Sequence, residues 1–246
     1  MSSPSSTTRD AVIHAERRGQ VALLTIDRTE RRNALDIETV RHLTDAVHDA
    51  SDARVLVLTG AGGHFCAGAD LGGVEGEHFV DALRNLLLAL TSTAQPVLAA
   101  VDGAALGAGT QLAVACDLRV ATPAARFGIP AAKLGLMVDH WSVQRLTSLA
   151  GEGPARAMLL AAEVLSGEDA HRFGLVQRIG DLEGALDWAQ EIAALAPLSI
   201  AGHKLALNGA PREEFQAAFE RAWGSGDLAE GMAAFRERRA PEFRGR

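Results

Sequence analysis

The sequence predicts an α/β fold in which a sheet covered on both faces is wrapped by helices. Two unbroken apolar runs carry that prediction: "ARVLVLTG" at 53–60 and "QPVLAAVDG" at 95–103, each stopped by glycine. A strand that is apolar at every position, not every second one, has both faces buried. The third observation is what lies between the runs. Val40, Leu43 and Val47, then Phe79, Leu83, Leu86, Leu87 and Leu90, recur at helical spacing. Strands alternating with helices give an α/β core.

In chain order, "AVIHAER" and "VALLTID" flank "RGQ" and are rich in β-branched residues, which predicts a hairpin. "ETVRHLTDAVHDA" is the first amphipathic helix, 53–60 a buried strand, and "AGGHFCAGADLGG" the loop after it. "HFVDALRNLLLAL" is a helix with a broad apolar face, and 95–103 a second buried strand begun at Pro96. A small-residue turn, "GAALGAGTQ", then opens an apolar helix, and "DLRVAT" returns as a strand. "ARFGIP" is expected as a short edge strand stopped by Pro130, and from Ser142 onward the chain is expected to be mostly helical. Ser166, followed by Glu168 and Asp169 and stopped at Gly174, signals a capped helix. "REEFQAAFERAW" and "LAEGMAAFRERR" are terminal helices. The expected organisation is a flexible arm at 1–10, a core at 11–195 and a C-terminal helical region at 196–246, divided near "APLS".

Composition narrows the functional classes. Of 246 residues, 48% are apolar but only 4% aromatic, with no tyrosine, so the core must be built from Ala, Val and Leu. A net charge of −7 argues against a general nucleic-acid binder, which needs a basic face. Cys66 and Cys116 sit in apolar segments and form neither a disulfide framework nor a metal spacing. The polar start lacks the apolar stretch of a signal peptide, and no run approaches the ~18–20 apolar residues of a membrane span. A cytoplasmic protein without stable membrane insertion is the expectation.

Two small-residue loops could carry chemistry. In "HFCAGADL", Phe65 anchors the loop while Ala67, Gly68 and Ala69 let backbone approach a ligand closely, and Asp70 can receive loop N–H groups. An ordinary tight turn would have the same composition. In "ALGAGTQ", 105–111, the helix start offers unpaired N–H groups and a partial positive charge, suited to a phosphate or to an oxyanion developing on a carbonyl. Gly107 and Gly109 lack the third glycine of a dinucleotide-binding turn, and no G-x-S-x-G, H-E-x-x-H or CxxC is present.

The segments "ERRNALD", "FCAGADL", "DGAALGAGTQLAVACDLRVAT", "ARFGIPAAKLGL", "QRLTSLAG", "LSGEDAHRFGLVQRI" and "PEFRGR" together resemble the enoyl-CoA hydratase/isomerase (crotonase) family, in the family's order, over residues 12 to 246. The resemblance implies a spiral of ββα units and a C-terminal helical region used for trimerisation, often as a dimer of trimers. It implies an acyl-CoA thioester as ligand and no metal or redox cofactor. It implies an oxyanion hole from the backbone N–H groups of Ala69 and Ala108. Segment 31–35, with Arg31 and Ala34, and the loop of Ala67, Gly68, Asp70 and Leu71 would hold the adenine and pantetheine of coenzyme A. Gly107, Gln111 and Ala131 would face the reacting end. Arg31, Arg32, Arg238 and Arg239 are candidate phosphate partners, with solvated surface charge as the competing reading.

The departures from the family matter more. Its hydratases carry one glutamate three residues after the second oxyanion donor and another after the proline of "FG-x-P"; those positions are Gln111 and Ala131 here. Hydration needs an acid/base pair to activate water and protonate carbon. Asp139, in "VDHW", matches the position of a working aspartate in some isomerases and dehalogenases of the family. It acts as a single base or nucleophile, or it caps the helix beginning near Trp141, and the two roles are compatible. Met137 and Trp141 line an acyl pocket or pack in the core; His64 and His140 read as loop or surface histidines. The "DHW" feature with Gln111 also resembles a mycobacterial member regarded as an acyl-CoA binder in lipid biosynthesis.

Three functions follow as expectations. The first is a fatty acyl-CoA binder with little hydratase chemistry, whose expected partners are proteins of fatty-acid synthesis. The second is an isomerase or related enzyme using Asp139. The third is a hydratase relying on Glu75 or Glu77.

Overall fold

The computed structural model describes residues 12–70 and 76–246. Two sheets organise it. The first has six strands in the order β1-β2-β3-β4-β6-β9: β1 (Ile13–Arg18), β2 (Val21–Ile26), β3 (Val55–Gly60), β4 (Val97–Val101), β6 (Leu118–Ala121) and β9 (Arg178–Ile179). The second has three, in the order β5-β7-β8: β5 (Ala104–Leu106), β7 (Arg126–Gly128) and β8 (Val164–Ser166). β1 and β2 form the hairpin, with Ile13 opposite Ile26 and Arg18 opposite Val21; β2, β3, β4, β6 and β9 run parallel.

The spiral arises from repetition. β4 joins the large sheet and β5 the small one before the helix α3 (Ala108–Ala115); β6 and β7 repeat the split before α4 (His140–Ala150). After β3, an isolated bridge from Cys66 to Ala105 gives the preceding unit the same second limb.

The unbroken apolar runs follow from burial on two sides. Leu56, Leu58, Val97, Ala99 and Val101 enter a cluster with α1 (Ile37–Asp49), α2 (Gly76–Ser92) and α3. The alternate residues Val55, Val57, Leu98 and Ala100 pack instead on α7 (Leu182–Ala193), through Ala185, Leu186, Ala189 and Ile192.

One expectation needs correction. The strand at Arg126–Gly128 is not an edge strand: β7 lies between β5, parallel, and β8, antiparallel. The chain after Ser142 is mostly helical, as expected, and adds only β8 and β9, of three and two residues, too short to show a periodicity of their own.

Beyond α5 (Glu152–Leu160) and α6 (Gly167–Arg172), α8 (Pro197–Leu207), α9 (Arg212–Trp223) and α10 (Gly226–Glu237) end the chain. α8 is tied to the core by the buried Lys204, whose Nζ lies 2.7 Å from Asp117 Oδ2 and donates to the carbonyls of Leu90 (3.1 Å) and Gln95 (2.9 Å). α9 and α10 leave Phe219, Trp223, Leu228, Met232 and Phe235 exposed. Among the described residues, no helix is long and apolar enough to cross a membrane.

Candidate active site

Because β2, β3 and β4 are parallel, the loops that leave them emerge on the same edge of the sheet, where α/β proteins gather their ligands. Segment 27–36, segment 61–70 and the β5–α3 turn meet there. Asn33 joins the first two. It is fully buried, its Nδ2 donates to the carbonyls of Ala61 (2.8 Å) and His64 (2.6 Å), and its Oδ1 accepts from Arg28 N (2.9 Å). Three backbone bonds complete the seam: Ala67 N to Arg32 O (3.0 Å), Leu35 N to Gly68 O (2.8 Å) and Asp70 N to Leu35 O (2.7 Å). Arg31 and Ala34 are thereby placed beside Ala67, Gly68, Ala69 and Asp70.

The second seam brings that loop against the start of α3. Cys66 exchanges backbone hydrogen bonds with Ala104 and Leu106, at 2.8 and 3.0 Å. A Cβ on Gly109 would stand 2.1 Å from Cys66 O, so the first turn of α3 rests directly on the loop. Gly68 has φ +116°, and a Cβ there would lie 3.0 Å from Leu106 O and 4.0 Å from Ala108 N. Glycine is required twice over, for the dihedral and for the approach. Among the described residues, neither Ala69 N nor Ala108 N donates a hydrogen bond. The first intrahelical donor of α3 is Gln111 N, to Gly107 O (3.1 Å), and no acidic side chain occupies the first turn. Two backbone donors on adjoining loops, one at the positive end of a helix, suit a carbonyl oxygen gaining negative charge.

Gln111 is buried and committed. Its Nε2 donates to Ser142 Oγ at 2.7 Å, while Ser142 N donates to Asp139 Oδ1, also at 2.7 Å. A hydroxyl both donates and accepts, so the Gln111–Ser142 bond survives either amide orientation. Asp139 is the N-cap of α4, with extended backbone, and its other oxygen takes no hydrogen bond among the described residues. Ala131 follows β7 in a 3-10 turn, Pro130–Leu134; β7 is held beside the α3 turn by Gly107 N to Gly128 O (2.8 Å).

The other expected residues sort as follows. Trp141 is partly buried against the core, whereas Met137 is 90% exposed and packs in no core. Arg31 and Arg32 are exposed, as phosphate partners would be. Arg239 forms ion pairs with Glu230 and Glu237, and Arg238 ends α10 in a left-handed conformation. Arg239 holds the Glu230 carboxyl down to about 2. His140 is exposed, but His64 is half-buried: its Nδ1 accepts from Ala104 N (3.2 Å) at the entry to β5. Cys66 and Cys116 are fully buried, and desolvation pushes both thiols up to about 12. Leu71 and Glu75 lie outside the described residues, as does the side chain of Glu77.

Two residues that brace these loops were not foreseen. Arg28 pairs with Asp36 (2.9 Å) and Asp70 (3.2 Å) and also donates to Ala34 O, so Asp70 serves a guanidinium and braces the loop from beneath. Ser142 holds Gln111 from 31 residues away. Neither position bears a recognisable motif, and it is the fold that brings Arg28 to Asp70 and Ser142 to Gln111.

Comparison with known proteins agrees with this arrangement. The family model described as Enoyl-CoA hydratase/isomerase matches residues 16–246. A Mycobacterium tuberculosis protein named "Probable enoyl-CoA hydratase echA6" is 49% identical over 234 residues, covering 91% of this chain and 96% of its own. The Escherichia coli 2,3-dehydroadipyl-CoA hydratase is 35% identical over 249 residues, covering 94% and 97%. A crystal structure of an enoyl-CoA hydratase from Bacillus anthracis superposes with TM-score 0.88 at 29% identity, covering 96% of this chain and 100% of that one.

Proposed function

The chain belongs to the enoyl-CoA hydratase/isomerase family, and from that premise we propose that it binds fatty acyl-CoA thioesters while catalysing little or no hydration of 2-enoyl thioesters. One observation carries this reading. Where family hydratases hold a glutamate, the buried Gln111 is fixed to Ser142 Oγ at 2.7 Å, and Ala131 supplies no functional group at the second position. An amide orients a ligand by hydrogen bonds, but it exchanges no proton near neutral pH, and hydration needs that exchange. The grip is retained in this reading: the N–H groups of Ala69 and Ala108, which donate no hydrogen bond among the described residues, receive the thioester oxygen, and losing such a donor costs about 3–4 kcal/mol where charge develops. Arg31 and Arg32 stand exposed beside the loop for the phosphates of coenzyme A.

The ligand is a coenzyme A thioester and no further cofactor is invoked. The exposed apolar side chains of α9 and α10 suit a homotrimer or a dimer of trimers in the cytoplasm, and proteins of fatty-acid synthesis are the partners that would receive or deliver the acyl group.

Asp139 supports a second reading. Its carboxylate lies two hydrogen bonds from Gln111 and keeps one oxygen unengaged among the described residues. A lone carboxylate could take a proton from one carbon of an enoyl chain and return it to another, as an isomerase does.

Two measurements decide. Saturated acyl-CoA is titrated by tryptophan fluorescence, and short and long 2-enoyl-CoA substrates are followed by loss of the conjugated thioester absorbance. Tight binding without turnover supports the binder. Isomerase turnover abolished by Asp139→Asn supports the second reading and overturns the first; turnover indifferent to that change sinks the second. Gln111→Glu combined with Ala131→Glu should confer measurable hydration on the same scaffold.

A further inference from the structure

α3, eight residues and about 12 Å long, is buried along its whole length, and its two ends are treated differently. The N-terminal turn has no side-chain cap and no acidic residue. The C-terminal carbonyls are taken by guanidinium groups. Arg119, with no exposed surface, donates through Nη1 to Ala113 O (3.1 Å) and Cys116 O (2.8 Å) and through Nε to Leu175 O (2.5 Å). Arg145 Nε donates to Val114 O (3.0 Å). Burial lowers Arg119 to about 10, which leaves it cationic at neutral pH. The carboxylate beside these groups, Asp117, is already engaged by Lys204 (2.7 Å) and Val97 N (2.8 Å). The cluster of Arg119, Arg145 and Lys204 against Asp117 therefore keeps a surplus of positive charge at the negative pole of the helix.

α4 grips α3 at two rungs. Ser142 and Arg145 are three residues apart on one face of α4, and their partners Gln111 and Val114 are three residues apart on the facing side of α3. One rung fixes the first turn and the other the last.

We infer that Arg119 and Arg145 are positioning residues for the thioester site. They fix the axial placement of α3 through its last carbonyls and offset its negative pole, so that the N–H of Ala108 meets the ligand oxygen with the full positive end of the helix. This rests on the acyl-CoA reading above. A lock serving only the fold would hold the same carbonyls without changing how strongly a bound carbonyl is polarised, and that difference is measurable.

The test uses the full chain and 4-dimethylaminocinnamoyl-CoA, whose absorption maximum moves to longer wavelength when its carbonyl oxygen accepts hydrogen bonds. Arg145→Gln keeps a donor for Val114 O but removes the charge; Arg145→Lys keeps the charge. Arg145→Gln should return the bound maximum toward that of the free thioester and weaken acyl-CoA about 3- to 10-fold, with free coenzyme A, which has no carbonyl at this site, changed less than about two-fold. Arg145→Lys should restore most of both effects, and Arg119→Lys, if it folds, should behave likewise. An unchanged maximum and an unchanged ratio of acyl-CoA to coenzyme A affinity in Arg145→Gln would overturn the inference. So would equal damage from Arg145→Lys. If the parent protein itself binds acyl-CoA no more tightly than coenzyme A and shows no spectral shift, the thioester reading has failed first and the inference falls with it.

Discussion

Gly68 sets the tightest tolerance at the site. Its φ of +116° strains any side chain, the 3.0 Å between a Cβ and Leu106 O would make that backbone give by a few tenths of an ångström, and Ala108 N is 4.0 Å from the same point. Gly68→Ala should cost about 1–3 kcal/mol of stability from backbone strain and, by displacing the Ala69 donor, weaken acyl-CoA at least about tenfold. Urea unfolding and a fluorescence titration report the two quantities separately; native affinity in the variant would remove the Ala69 donor from the site. Asn33 is a second fixed point. It sits at φ +59°, where Asn is tolerated better than most residues, and it satisfies two carbonyls and one N–H. Asn33→Ala should cost about 3 kcal/mol, leaving buried polar groups unpaired. Asn33→Asp should be no better, because a carboxylate oxygen would face the two carbonyls; thermal unfolding of both variants checks the pair. Residue identity in these loops was legible in the sequence, and so was the loss of the acid at Gln111. What held Gln111 was not, nor was the brace on Asp70: Ser142 reaches Gln111 from 31 residues away, and Arg28 reaches Asp70 from 42.

Among the elements, long patterns were readable and short ones were not. The parallel strands β3 and β4 and the helices α1 and α2 carry four or more residues of consistent burial, enough for periodicity to speak. β7, β8 and β9 have three, three and two residues, and their place is set by pairing: β7 became central because β8, more than thirty residues later, returns to its free edge. Local chemistry did announce helix starts. Asp139 caps α4 through Ser142 N, and Ser166 caps α6 through Asp169 N at 3.0 Å. Asp139→Ala should therefore cost about 1 kcal/mol while Asp139→Asn, an equally good cap, should be nearly neutral. Denaturant midpoints of the two variants measure the cap alone. Any activity lost in Asp139→Asn at unchanged stability then belongs to the carboxylate as an acid or base, so the same pair of proteins separates support of the helix from chemistry.

At the scale of the whole molecule, alkaline stability follows from an unusual inventory of titrating groups. The chain has no tyrosine, two cysteines and two lysines, its remaining cations being arginine and histidine. Both thiols are fully buried and raised by desolvation from 9.0 to about 12, so between those values the folded protein holds two protons that the unfolded chain has released. The unfolded state then binds fewer protons and stability falls as pH rises. From pH 9 to 10 the two thiols together should remove about 2 kcal/mol. Lys204 and Arg119 act in the opposite direction: burial lowers both, Arg119 to about 10, so the unfolded chain holds their protons longer and stability gains with pH. One lysine proton offsets at most about 1.4 kcal/mol per pH unit and Arg119 adds about 0.3 kcal/mol between 9 and 10, so the balance over that unit is still a loss. Urea midpoints from pH 8 to 10 should decline, Cys116→Ala should remove about 1 kcal/mol of the pH 9–10 decline, and replacing both cysteines should reverse its sign, because only the groups that gain with pH remain. A decline that persists undiminished without the cysteines would assign it to the surface charges instead, and would mean that the buried thiols ionise in the folded protein as readily as they do in the unfolded chain.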